Sequence, residues 1–171
     1  MSFINIEIKA RTAKAAAIRH YLQANNADFK GTDLQTDTYF NVPKGRLKLR
    51  EGNIENNLIY YERTNQAGPK QSNFQLSKVN DPASLKAILS NAIGVKVVVS
   101  KKREIYYISN VKFHIDELEG LGNFVEIEAG NKDADVTIET LRGQCDFYMK
   151  EFGIEGADLI YHSYSDMLLE R

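Results

Sequence analysis

Residues 5–11 read NIEIKAR, where Asn5, Glu7, Lys9 and Arg11 alternate with Ile6, Ile8 and Ala10. Successive side chains of an extended chain point to opposite faces, so an amide, a carboxylate, an ammonium and a guanidinium share one face and aliphatic groups the other. The same period of two recurs along the chain. GRLKLR sets Arg46, Lys48 and Arg50 against Leu47 and Leu49, and VVVSKKREIYY gives Lys101 and Arg103 the parity of Val97 and Val99. KFHIDE sets Lys112, His114 and Asp116 against Phe113 and Ile115, and NFVEIEAG sets Glu126 and Glu128 against Val125 and Ile127.

A solvated outer face is the ordinary source of such alternation in any one strand. Here five strands carry dense Lys, Arg and Glu at adjacent same-face positions. Like charges such as Lys48 and Arg50, or Glu126 and Glu128, repel unless water screens them or an opposite charge lies between them. A polyanion carrying divalent cations satisfies both sets. The bases grip phosphate oxygens, Arg bidentately, and the carboxylates hold Mg²⁺ or Mn²⁺, hard cations that prefer oxygen.

To gather these residues, the strands must curl into a closed antiparallel β-barrel with a charged, wet interior and aliphatic faces turned outward under helices, an α+β tunnel. Strands are expected at 3–11, 36–41, 46–51, 57–64, 72–79, 95–102, 103–109, 111–117 and 123–129, the stretch 95–109 being one strand or two, with 26–35 a loop or short strand. Three helices flank them. One runs from a Thr12 cap to about Asn25; a second opens at Asp81 and Pro82, buries Leu85, Ile88 and Leu89, and stops at Gly94; a third spans about 135–152 with Val136, Leu141, Phe147, Tyr148 and Phe152 on its apolar face. TNQAGPKQS (64–72) reads as a hairpin loop at a tunnel mouth, and Tyr161, Tyr164, Met167 and Leu168 as a short helix that closes one end or covers the outside.

With 171 residues and no linker-like stretch, one domain over 1–171 is expected. Twenty-two Lys+Arg against 23 Asp+Glu leave a net charge of −1, so no global field recruits nucleic acid or an anionic membrane, and basic sites must be local. The single Cys145 excludes an internal disulfide and a Cys-based zinc site and reads as structural. No signal-peptide pattern or membrane-length apolar run is present, which makes the cytoplasm the expected location. Self-association into a homodimer is left open.

The ordered set NIEIKAR, DTYF (37–40), RLKLR, YYER (60–63), KKREIYY, HIDELEGLGNFVEIE (114–128) and SYSDMLL (163–169) resembles the CYTH superfamily, the triphosphate tunnel metalloenzymes, most nearly its class IV adenylyl cyclase type. The resemblance spans essentially the whole chain, and HIDELEGLGNFVEIE is its most specific part. It implies a β tunnel that binds a triphosphate-containing small molecule and acts on it with divalent metal; the family includes adenylyl cyclases and thiamine, inorganic and RNA triphosphatases. It implies Glu7, Glu126 and Glu128 as metal ligands and catalytic groups, and Lys9, Arg50, Lys101 and Arg103 as phosphate ligands with Lys48 as a further one. Asp116 matches an acidic wall position that supports a base, contacts substrate or joins the metal. Glu62 or Arg63, and Lys78, belong to strands that line the family's tunnel.

One position departs. The family signature opens Glu-x-Glu-x-Lys, and the first Glu is Asn5 here, which offers a neutral oxygen but no charge and predicts a weakened second metal site. His114 shares the inward parity and is a candidate base, with a structural imidazole hydrogen-bonded beside Asp116 as the other reading. Tyr60, Tyr61, Tyr106 and Tyr107 are read as packing residues, with stacking on a base as the alternative. The expected reaction is conversion of ATP to cyclic AMP and pyrophosphate. Hydrolysis of inorganic, thiamine or nucleoside triphosphate, and capture without turnover, are the alternatives; the retained carboxylates favour an enzyme, because acids repel a bare anion.

Overall fold

The computed structural model describes residues 2–63 and 68–171. Eight strands, β1 (Ser2–Arg11), β2 (Asp28–Phe40), β3 (Arg46–Glu51), β4 (Asn57–Arg63), β5 (Lys70–Lys78), β6 (Val95–Ile108), β7 (Val111–Leu118) and β8 (Gly122–Gly130), form a closed barrel in the order β1-β5-β4-β3-β2-β6-β7-β8. Every pairing is antiparallel, and β1 closes the ring by pairing with both β5 and β8. The helices are α1 (Ala15–Ala24), α2 (Pro82–Ile93), α3 (Ile138–Glu151) and the short α4 (Tyr164–Leu169). Among the described residues no helix is long and apolar enough to cross a membrane.

The barrel is inside out, as the alternation requires. Ile6, Ile8 and Ala10 of β1, Phe113 and Ile115 of β7, and Val125 and Ile127 of β8 face outward and are nevertheless buried, because Ile18 and Leu22 of α1 and Leu141, Cys145 and Phe152 of α3 and its cap cover them. Burying each large side chain contributes about 1.5–3 kcal/mol, so this shared layer fixes which face of the sheet turns inward. A second apolar cluster includes Tyr39, Ile59, Tyr61, Val99, Phe124 and Tyr164. Four of these, Tyr39, Ile59, Tyr61 and Tyr164, also line the central cavity, so the interior is charged over only part of its length.

Several expectations are corrected. Residues 95–108 form one strand, and the 28–35 stretch is the first half of β2, with a register shift between Phe29 and Gly31 where Gly31 adopts φ +120. Helix α1 starts at Ala15; Thr12 accepts from the Lys14 amide instead of capping the helix. Asp81 does cap α2 by accepting from the Ser84 amide, but α2, which lies against β2 and β3, buries no residue and leaves Ile88 exposed. Phe147 of α3 is also exposed. Of the expected 64–72 loop, 64–67 lie outside the described residues, as does the last residue of the expected 57–64 strand. Its other end is strand, with Lys70 and Ser72 buried in the β5 wall.

Candidate functional site

Register brings the acids together. Across β1 and β8, Glu7 stands opposite Glu128 and Lys9 opposite Glu126; across β7 and β8, His114 stands opposite Glu126 and Lys112 opposite Glu128. Directly opposed side chains are close neighbours, so three strands converge their charges on one wall. Glu7 is ion-paired with Arg63 of β4. Glu126 Oε1 accepts from Arg103 Nη2 at 2.8 Å and lies 4.0 Å from Lys9 Nζ. One oxygen each from Glu126 and Glu128 and one ring nitrogen of His114 lie within 4.8 Å of one another.

Electrostatics separate the two neighbouring carboxyls. Burial works to raise Glu126, yet Lys9 and Arg103 outweigh it and hold the group well below the usual carboxylate range. Glu128 is raised, by burial and by the charge of Glu126. Burial, then Arg103 and Lys112, push His114 well below the ordinary imidazole value. The ring is 1% exposed and neither nitrogen has a hydrogen-bond partner among the described residues, which excludes the expected bond beside Asp116. A buried and a half-buried carboxylate beside an imidazole without a hydrogen-bond partner among the described residues fit a divalent cation, since such an ion would satisfy all three.

The facing wall is basic. Strands β2 and β3 lie four places round the ring from β1 and β8 respectively, and on them sits an organiser the sequence reading missed. Asp37 is buried and accepts from Arg50 Nε and Nη2, both at 2.9 Å, and from Lys101 Nζ at 2.8 Å, with Lys48 Nζ 3.5 Å away. Despite a burial that would raise it, Asp37 is held far below the carboxylate range by Arg50, Lys101 and Lys48. Burial brings Lys101 down to about 7, although Asp37 opposes the shift. Three of the expected phosphate ligands therefore share one carboxylate. Arg103 has its own, donating to Asp116 at 2.7 and 2.6 Å, and the Tyr164 hydroxyl donates to the same Asp116 at 2.7 Å.

A second missed group lies near the other end. Glu55, in the β3–β4 turn, accepts from Lys112 Nζ at 2.6 Å, from Gln35 Nε2 at 3.0 Å and from Arg50 Nη1 at 3.3 Å. Burial opposes its ionisation, but Lys112 and Arg50 bring it to about 2. The turn is folded over Asp33, which accepts from the Ile54 and Glu55 amides at 2.9 and 3.0 Å. Gly52 permits this closeness, because a Cβ there would lie 2.6 Å from Asp33 Oδ1. The missed signal was Asp33, Gln35, Asp37 and Tyr39, a further run at period two.

Asn5, Glu7, Lys9, Lys48, Arg50, Lys101, Arg103, Glu126 and Glu128 all line one cavity of about 690 Å³. Asp116 lies behind it, buried under Arg103. Arg63 also lines the cavity and Lys78 is an exposed part of its lining, whereas Glu62 faces outward to Tyr60 and Lys44. Asn5 stands opposite Gly130, whose missing side chain leaves space for the amide. Tyr61 and Tyr107 point inward, while Tyr106 packs outward against Phe29. Cys145 is buried with its thiol donating to the Ile6 carbonyl, and burial raises it to about 12, an inert group.

A model of the CYTH domain matches residues 4–164. No curated protein matches the chain significantly. Among solved structures, the PH1012 protein of Pyrococcus horikoshii superposes with a TM-score of 0.78 at 24% identity, over 95% of this chain and 98% of that one. A candidate adenylate cyclase from Vibrio parahaemolyticus gives 0.77 at 19%, over 97% and 98%. HpAC1 from Hippeastrum, a candidate adenylyl cyclase described as having a dominant triphosphatase activity, gives 0.61 at 18%, over 98% and 94%. These structures share the fold.

Proposed function

As the chain belongs to the CYTH domain family, we propose that it is a divalent-metal-dependent enzyme that acts on a triphosphate group held inside the barrel, converting ATP to cyclic AMP and pyrophosphate. The observation that carries this reading is the opposition of the two walls: Glu7, Glu126 and Glu128 on β1 and β8 face Lys48 and Arg50 on β3, with Lys101 and Arg103 of β6 beside them. A polyphosphate between the walls meets Lys48, Arg50 and Lys101 on one side and, on the other, carboxylates able to hold Mg²⁺ or Mn²⁺ interleaved with Lys9 and Arg103. The bound ion supplies charge neutralisation of the phosphate oxygens.

The protein's own groups position and stabilise. Asp37 and Asp116 each clamp a guanidinium through Nε and Nη2, so Arg50 and Arg103 are oriented before substrate arrives. Preoriented donors of this kind need no rearrangement as negative charge moves onto the leaving group. Lys9, Lys48 and Lys101 add point charges along the same path. The cavity exceeds the space three phosphates need, and Phe3, Ile54, Leu76 and Tyr107 also line it, an apolar surface suited to the nucleoside.

Hydrolysis of the triphosphate is the second reading. The likeness to HpAC1, with its described triphosphatase activity, favours it. A phosphorus NMR time course with ATP, and separately inorganic triphosphate, in Mg²⁺ and Mn²⁺ tests both. Pyrophosphate with cyclic AMP is the expected result; orthophosphate would assign a hydrolase, and unchanged substrates would overturn the enzymatic reading. Glu126→Gln should lower turnover by about a hundredfold or more, as removal of one preorganised charge-stabilising group does elsewhere.

A further inference from the structure

One buried polar side chain facing the cavity has no role in the scheme above. We propose that His114 is a ligand to the divalent cation held by Glu126 and Glu128, which makes the site a mixed nitrogen and oxygen one that favours Mn²⁺ and Co²⁺ over Mg²⁺. This rests on the reading of the two glutamates as metal ligands and adds to it the ion that the site selects.

Three observations support the assignment. His114 is 1% exposed and lines the cavity, yet both ring nitrogens lack a hydrogen-bond partner among the described residues. Buried polar atoms are ordinarily satisfied, so an imidazole without a partner needs one from outside the chain. Its Nδ1 lies 3.7 Å from Glu128 Oε1, too long for a hydrogen bond, while a nitrogen of the ring and the two carboxylates come within 4.8 Å of one another. Finally, the placement is built into the sheet, because His114 is the direct cross-strand neighbour of Glu126.

The ion preference follows from ligand chemistry. Mg²⁺ holds its waters tightly and prefers oxygen, whereas affinity at a nitrogen-containing site rises along the first-row series from Mn²⁺ to Co²⁺ and beyond.

Two measurements on the substrate-free protein test the proposal. Pulsed electron paramagnetic resonance of the Mn²⁺-loaded wild type should show hyperfine coupling to a directly bound imidazole nitrogen, absent from His114→Gln. Calorimetric titrations with Co²⁺ and Mg²⁺ should show that the same substitution lowers the Co²⁺ to Mg²⁺ affinity ratio by about tenfold or more, the lower bound of what losing even a supporting group costs a metal site. If Mn²⁺ binds in a way that Glu128→Gln weakens, but no nitrogen coupling appears in the wild type, His114 is not a ligand and the carboxylate reading stands. If neither ion binds saturably, both fall. The wild-type spectrum decides the matter even if His114→Gln does not fold.

Discussion

Arg103 gives its guanidinium to two buried carboxylates at once, Asp116 through two bonds and Glu126 through a third. Arg50 shares its acceptor Asp37 with Lys101 and Lys48. Removing one member of a buried ion pair is costly because of the charge left behind, about 3–5 kcal/mol. Below about pH 7, where Lys101 is charged, Arg103→Ala is therefore expected to lose stability in that range, whereas Arg50→Ala loses less because two ammonium groups still answer Asp37. Urea unfolding of the two variants checks this, and equal losses would contradict it. Lys101 gives a second residue-scale prediction. Its folded value of about 7 lies below that of an unfolded lysine, so the unfolded chain binds this proton more tightly between the two values. Its contribution to stability accordingly rises with pH above about 7, and the cost of its buried charge is felt in full below that. At about pH 8.5, where free ATP is already ionised, binding should restore the ammonium and take up a proton from solvent. Calorimetry in two buffers of different ionisation enthalpy would detect the uptake, which should diminish in Lys101→Met.

At the scale of elements, α4 lets the C-terminal segment act on the site. Tyr164 stacks edge-on against Phe124 with centroids 5.0 Å apart, carries the Lys9 ammonium 3.7 Å above its ring, and bonds Asp116 behind Arg103. Tyr164→Phe keeps the packing and removes the hydroxyl, so thermal unfolding should report a loss of about 1.5–3 kcal/mol, the worth of a hydrogen bond to a charged group. A loss near zero would mean that Asp116 is satisfied by Arg103 alone. The strands that carry such groups were largely legible in the sequence, because an aliphatic face buried under helices leaves a strict period of two. The start of β2 was not, since Asn25, Asn26 and Gly31 read as loop residues while in the structure Gly31 sits at a bulge inside the strand. Ile88 misled for a related reason: periodicity marks a stripe on α2, but nothing in it says how closely that stripe approaches the barrel. Asp37 and Glu55 were overlooked as single acids among neutral residues, their importance arising from bases on other strands. Tyr161, expected to pack with Tyr164, is exposed, because only Tyr164 of the two turns inward.

For the whole molecule, a net charge of −1 leaves no global positive field. Long-range steering of an anionic substrate should then be weak, and stopped-flow association of ATP should change little as ionic strength is raised through the physiological range. A steep fall in the association rate would instead reveal an exposed positive field at the cavity mouth. The closure of the ring has a consequence for how the chain is made. Strand β1 pairs with β5 and β8, so this strand, the earliest of the eight in chain order, must wait for residue 70 and beyond to gain one neighbour and for residue 122 and beyond to gain the other. Such long-range pairing is slow, because the entropy of closing the intervening loop is lost before the contacts form. The NIEIKAR strand is thus the first of the eight strands in chain order and among the last to be housed, and the wall bearing Glu7 and Glu128 is completed only when the two ends of the barrel sequence meet.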